Sequence, residues 1–123
     1  MKKVICSNKV GKAVGPYSQA IEANGFVYVS GQLPFDKDGN KEETVEKQTA
    51  QSLENMKAIL EEAGLSMDNI VKTTVLLQNM ADFGKMNEVY ATYFSGDYPA
   101  RVCYEVARLP KDVLVEIECI ATK

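Results

Sequence analysis

The chain has 123 residues, 46% of them hydrophobic and 25% charged, and no linker divides it, so one domain over residues 1–123 is expected. It contains no histidine, which excludes the common zinc patterns and every Ser-His or Cys-His pair within one chain. The net charge of −3 argues against nucleic acid as a partner, and no apolar run approaches the roughly 18 residues that span a bilayer.

In chain order, residues 3–6 are a short strand candidate, and a Lys- and Gly-containing stretch follows to Gly15. The glycines make no phosphate loop, because no Gly-Lys-Ser/Thr follows them. No apolar h-region of signal-peptide length follows Met1, and Cys6, Cys103 and Cys119 read as reduced thiols, so a cytoplasmic location is expected. Gly15-Pro16-Tyr17-Ser18-Gln19-Ala20 is a turn leading into a strand over 20–22, and Asn24-Gly25 is a hairpin signal before the β-rich Phe26-Val27-Tyr28-Val29-Ser30. Residues 33–43 read as a loop with Pro34 and an Asp38-Gly39 turn.

Over 44–63 the apolar period becomes helical through Val45, Leu53, Met56, Ile59 and Leu60, and Gly64 suits a C-cap. Residues 70–77 are the strongest strand, and a second helix is expected from an Asp82 N-cap to Phe94, with Phe83, Met86, Tyr90 and Phe94 on its buried side. The last third reads as two strands around the Pro110 loop. Parity puts Arg101, Cys103 and Glu105 on one face of the first, and Glu116 and Glu118 opposite Val115, Ile117 and Cys119 on the second. Arg101 and Glu116 then border one pocket if the register brings them together. Read singly, they are a structural ion pair across neighbouring strands, Tyr17 is a half-buried turn aromatic, and Ser30-Gly31 is a strand terminus. Cys103 has no group beside it to activate a thiolate.

The expected fold is α+β: a single mixed sheet with two helices on one face, the other face covered by further copies of the chain.

Four motifs in order, Gly15-Pro16-Tyr17-Ser18-Gln19-Ala20, Val29-Ser30-Gly31-Gln32, Tyr98-Pro99-Ala100-Arg101 and Val106 through Asp112, make the whole chain resemble the RidA/YjgF family of reactive-intermediate deaminases. The resemblance implies a chorismate-mutase-like homotrimer with active sites in the clefts between subunits, and no metal or organic cofactor. It implies hydrolysis of 2-enamine and 2-imine acids such as 2-aminoacrylate and 2-aminocrotonate, made by dehydratases that use pyridoxal phosphate, to 2-keto acids and ammonium. Carried over by position, Arg101 holds the substrate carboxylate and Glu116 positions the water. Tyr17, Ser30 and Asn87 line the pocket, and Gly31 and Cys103 contribute backbone groups. Tyr104 departs from the family's small aliphatic residue, on the face away from Arg101.

These residue types suit that chemistry. Arginine offers a planar fork that fixes a carboxylate in position and rotation, whereas lysine offers charge alone. A glutamate passes a proton between water and the leaving nitrogen. The alternative from another class is a trimeric module that binds keto acids through the same arginine without turning them over.

Overall fold

Backbone chemistry punctuates the chain much as its glycines suggest. Asn24 and Gly25 both take left-handed conformations, φ 54° and 82°, and form the two-residue turn between β2 (Ala20–Ala23) and β3 (Phe26–Gln32). The structure, a computed structural model, describes all of Met1–Lys123. Its first strand, β1 (Lys3–Ile5), pairs antiparallel with β2.

Helix α1 (Val45–Glu62) opens where the Thr44 hydroxyl accepts from the Lys47 amide at 3.2 Å. It closes with Gly64 at φ 78°, whose amide donates to Glu61 O while the Leu65 amide donates to Leu60 O. Those two bonds satisfy the last carbonyls, and only glycine takes that backbone conformation at no steric cost. β4 (Ile70–Leu77) follows, then α2 (Phe83–Ala91), β5 (Ala100–Glu105) and β6 (Val115–Thr122). The second helix is shorter than its periodicity predicts. Asp82 makes no side-chain cap, a 3₁₀ turn over Met80–Asp82 precedes the helix, and the Thr92 hydroxyl donates to Val89 O at 2.6 Å beyond its end.

The sheet order is β1-β2-β3-β6-β4-β5, with β4 and β5 parallel and every other pair antiparallel. β3 and β4 flank β6 and so run the same way, which makes β3-α1-β4 and β4-α2-β5 successive crossovers in one direction. Right-handed crossovers advancing in the same direction leave their helices on the same face. That face is the core: Val27, Val75, Leu77, Val115 and Ile117 meet Leu53, Met56, Ile59 and Leu60 of α1 and Met86 of α2, all fully buried. Each such side chain contributes about 1.5–3 kcal/mol by leaving water.

The opposite face carries Val4, Tyr28, Val102 and Tyr104, all exposed in the single chain. Tyr104 stands beside Leu76, which in turn pairs with Glu116, so its position on this face agrees with the strand parity.

One expectation is corrected by topology. β5 and β6 are consecutive in sequence but not neighbours in space, because β4 lies between them. Arg101 pairs with Thr73 on the helix side, while Glu116 pairs with Leu76 and points away from the helices. Arg101 and Glu116 therefore neither share a pocket nor form an ion pair within one chain; the salt bridges are Arg108–Asp112 and Lys123–Glu22.

Candidate active site in two halves

The first half lies on the open face, where β3 breaks register. Val29 pairs with Cys119 and Gln32 with Ile117, so Ser30 and Gly31 together oppose Glu118 alone, as in a β-bulge. The bulge is held from outside the sheet. The Ser30 amide donates to Gln19 O at 2.9 Å and its hydroxyl to Ser18 O at 2.6 Å. With its proton committed to Ser18, the Ser30 oxygen faces the site as an acceptor.

Glu116 explains the glycine at position 31. A Cβ built on Gly31 would overlap the Glu116 carboxylate and lie 3.0 Å from its Cδ. The carboxylate is half-buried and has no cationic partner. Burial, with the nearby Glu118 charge second, pushes its carboxyl above the usual range. Tyr17, Ser30, Gly31 and Glu116 line one cleft of about 950 Å³, walled by the loops around Lys12 and Lys37 and by Lys111. Beyond Tyr17 a shallower hollow of about 480 Å³ continues over Ile21, Tyr28 and Ile120.

The second half lies at the sheet edge, on the helix side. Arg101 extends over α2, its guanidinium carbon 4.8 Å from the Tyr90 ring centre and 5.5 Å from that of Phe83. Its Nη1 donates to Asn87 Oδ1 at 2.7 Å, and Nε and Nη2 have no partner in the chain. Asn87 thus meets the arginine directly.

Cys103 is two residues along the same edge. The Val106 amide donates inward to Leu77 O, so by strand alternation the Cys103 amide points outward, beside Arg101 and free. Its thiol is pushed up by burial, an effect the Arg101 charge partly offsets, which makes it a poor nucleophile.

The seven residues singled out by sequence therefore gather as two groups on opposite faces: Tyr17, Ser30, Gly31 and Glu116 in one, Asn87, Arg101 and Cys103 in the other.

Sequence reasoning missed the residues that hold the first half in shape. On α1, Gln48, Ser52 and Asn55 form a buried polar stripe at helical spacing beside the apolar one. Gln48 accepts from the Leu114 amide and donates to Glu42 O, both at 2.8 Å. Ser52 donates to Gln32 O at 2.9 Å, and Asn55 donates to Leu33 O and Phe35 O. Gln19, also buried, accepts from the Ser7 amide at 2.7 Å and donates to Ser7 O and Gly11 O, tying down the loop that presents Tyr17. The signals in the sequence were the 48-52-55 spacing and the place of Gln19 in the Gly15–Ala20 motif.

Comparison with known proteins agrees with this architecture throughout its length. The family model described as Endoribonuclease L-PSP matches residues 7–123. A RutC family protein of Pyrococcus horikoshii is 54% identical over 125 residues, covering 100% of this chain and 99% of that protein. A 2-iminobutanoate/2-iminopropanoate deaminase of Salmonella typhimurium is 47% identical over 127 residues, covering 100% and 99%. Among solved structures, Escherichia coli TdcF with bound serine superposes with a TM-score of 0.95 at 43% identity, covering 98% of each chain.

Proposed function

Because this chain belongs to the Endoribonuclease L-PSP family, the family of RidA and YjgF, we propose that it hydrolyses small 2-enamine and 2-imine acids to 2-keto acids and ammonium. The observation that carries this reading is the open side of Arg101. Its Nε and Nη2 form one complete edge of the guanidinium fork, unpaired and held beside a free backbone amide, which suits a small carboxylate.

The complete site needs two copies of the chain. The acid–base half and the carboxylate half lie on opposite faces, and Val4, Tyr28, Val102 and Tyr104 leave an apolar sheet face uncovered. Packing that face against a neighbour sets the Glu116 cleft of one subunit against the Arg101 edge of the next, and a closed ring of three satisfies each face once. The homotrimer is part of this proposal.

The chemistry runs by orientation and proton transfer. Arg101 and the Cys103 amide hold the substrate carboxylate, which fixes the adjacent C2 and its nitrogen. Glu116, whose carboxyl is raised by burial, is suited to deliver a proton to the enamine β-carbon, giving the imine. As carboxylate it then accepts a proton from water, whose oxygen bonds to C2. Returning that proton to nitrogen lets ammonia leave, and as the carbonyl forms the hydroxyl proton passes to Glu116, which regains its starting state; the balance is enamine plus water to keto acid plus ammonia. The Ser30 oxygen accepts an N–H of the departing group, while Tyr17 covers the cleft mouth. No step needs a metal or organic cofactor. The cleft sets four carboxylates, Glu116, Glu118, Asp36 and Asp38, against three lysines, Lys12, Lys37 and Lys111, so it offers a phosphate backbone no net positive charge.

The test is to generate 2-aminoacrylate with a dehydratase and follow pyruvate. Acceleration by the native chain and its loss in Arg101→Ala support the reading; no acceleration overturns it. TdcF with bound serine keeps a second reading in play, a carboxylate-binding module without turnover. That reading predicts Arg101-dependent binding of 2-ketobutyrate in calorimetry and no pyruvate.

A further inference from the structure

We infer that Thr73 and Tyr90 are positioning residues for Arg101, a clamp that holds the guanidinium flat and turns its free edge toward the bound carboxylate. The inference rests on the reading of Arg101 as the carboxylate receptor.

Register supplies the first part of the clamp. Thr73 on β4 is the pairing partner of Arg101 on β5, so the two side chains rise next to each other on the helix face. Thr73 Oγ1 lies 2.7 Å from the Tyr90 hydroxyl, with Thr73 0% and Tyr90 4% exposed. A hydrogen bond so deeply buried is costly to break, because neither oxygen has water to turn to. It pins the far end of the ring, while α2 fixes the near end. The ring face then supports the guanidinium at 4.8 Å.

Helical spacing supplies the rest. Asn87 stands three residues before Tyr90 and Phe83 four before Asn87, so one side of α2 presents all three to Arg101. Asn87 takes Nη1 at 2.7 Å and Phe83 flanks the plane at 5.5 Å. The edge left over is Nε with Nη2, the pair that grips a carboxylate in two places. An exposed arginine otherwise samples many rotamers, and freezing them on binding weakens affinity. The clamp removes part of that loss beforehand.

The chain has only two arginines, Arg101 and Arg108, so the Nε–Hε region of a nitrogen–proton correlation spectrum carries two signals. Arg108 pairs with Asp112 at 2.8 Å and serves as an internal control. In Thr73→Val and in Tyr90→Phe the Arg101 signal is expected to lose its ring-current displacement and broaden, while the Arg108 signal stays. Thr73→Val is expected to lower kcat/KM for 2-aminoacrylate about 5- to 10-fold, mainly through KM. In an Arg101→Lys background Thr73→Val is expected to change nothing further, and Thr73→Ser, which keeps the hydroxyl, is expected to restore both signal and turnover. An unmoved Arg101 signal in both variants, or an equal loss of kcat/KM in both backgrounds, overturns the clamp. A shifted signal with unchanged kcat/KM also overturns the clamp, while the role of Arg101 itself stands or falls separately with the turnover of Arg101→Ala.

Discussion

Gly31→Ala separates stability from catalysis. The added methyl would overlap Oε2 of Glu116 and lie 3.0 Å from Cδ and 3.3 Å from Cγ, all of them side-chain atoms. Gly31 is outside the left-handed region, so alanine takes its backbone conformation without strain. The conflict is therefore relieved by rotating Glu116, at about 0.5–1.5 kcal/mol if the side chain leaves its rotamer. Against that, alanine lowers the entropy of the unfolded chain by about 0.4–1 kcal/mol. The two nearly cancel, and the expected stability change is within about 1 kcal/mol. The carboxylate, however, must retreat by more than about 1 Å to regain ordinary contact. A displacement of that size at an acid–base group lowers kcat on the order of 100-fold. The affinity for 2-ketobutyrate changes much less, because its carboxylate receptor lies on the other half. Denaturant melts, calorimetry and coupled pyruvate formation give the three readouts. Native turnover in a folded Gly31→Ala protein would refute the assignment of Glu116, and gross destabilisation would refute the side-chain origin of the overlap.

Three further outcomes follow from single residues. Arg101→Lys keeps the charge and loses the fork, so kcat/KM should fall about 10- to 100-fold with little change in melting; full activity would remove the fork from the account. Thr49 has a fully buried hydroxyl with no partner, so Thr49→Val should stabilise the chain by about 1 kcal/mol in denaturant melts, and a loss of stability would contradict this. Glu116 titrates above its ordinary 4.5 when folded, so the native state binds more protons than the unfolded one between the two values. Stability then falls as pH rises from 4.5 through the raised value and stays penalised above it. Glu116→Gln should abolish that segment of the pH profile and melt higher at pH 7, and an unchanged profile would count against a buried carboxylate.

Local chemistry was legible wherever one residue decides the backbone. Asn24-Gly25 closes its hairpin, Gly64 ends α1, and the parity of residues 101–105 and 115–119 separates the two faces as alternation requires. Strand neighbours were not legible, because pairing depends on which crossover passes over which strand. Nothing local in Arg101 or Glu116 reveals that β4 comes between their strands. The bulge at Ser30-Gly31 was hidden for a related reason: the Ser18 and Gln19 carbonyls that hold it come from another segment, and the Glu116 carboxylate that leaves no room for a side chain at Gly31 is 85 positions away in the chain. Gln48, Ser52 and Asn55 escaped notice because polar residues at helical spacing ordinarily mark a solvated face, and here they hold carbonyls and an amide of β3, its loop and the approach to β6.

The central claim is that the carboxylate receptor and the acid–base residue of each working site come from different subunits. Coexpressing Arg101→Ala and Glu116→Gln chains under two tags and isolating mixed oligomers tests it directly. Each variant alone should be inactive, and every mixed ring of three, whichever variant is in the majority, has one cleft with both native halves, so the isolated mixed trimers should recover about a third of native turnover. Mixed oligomers as inactive as the separate variants would contradict the claim.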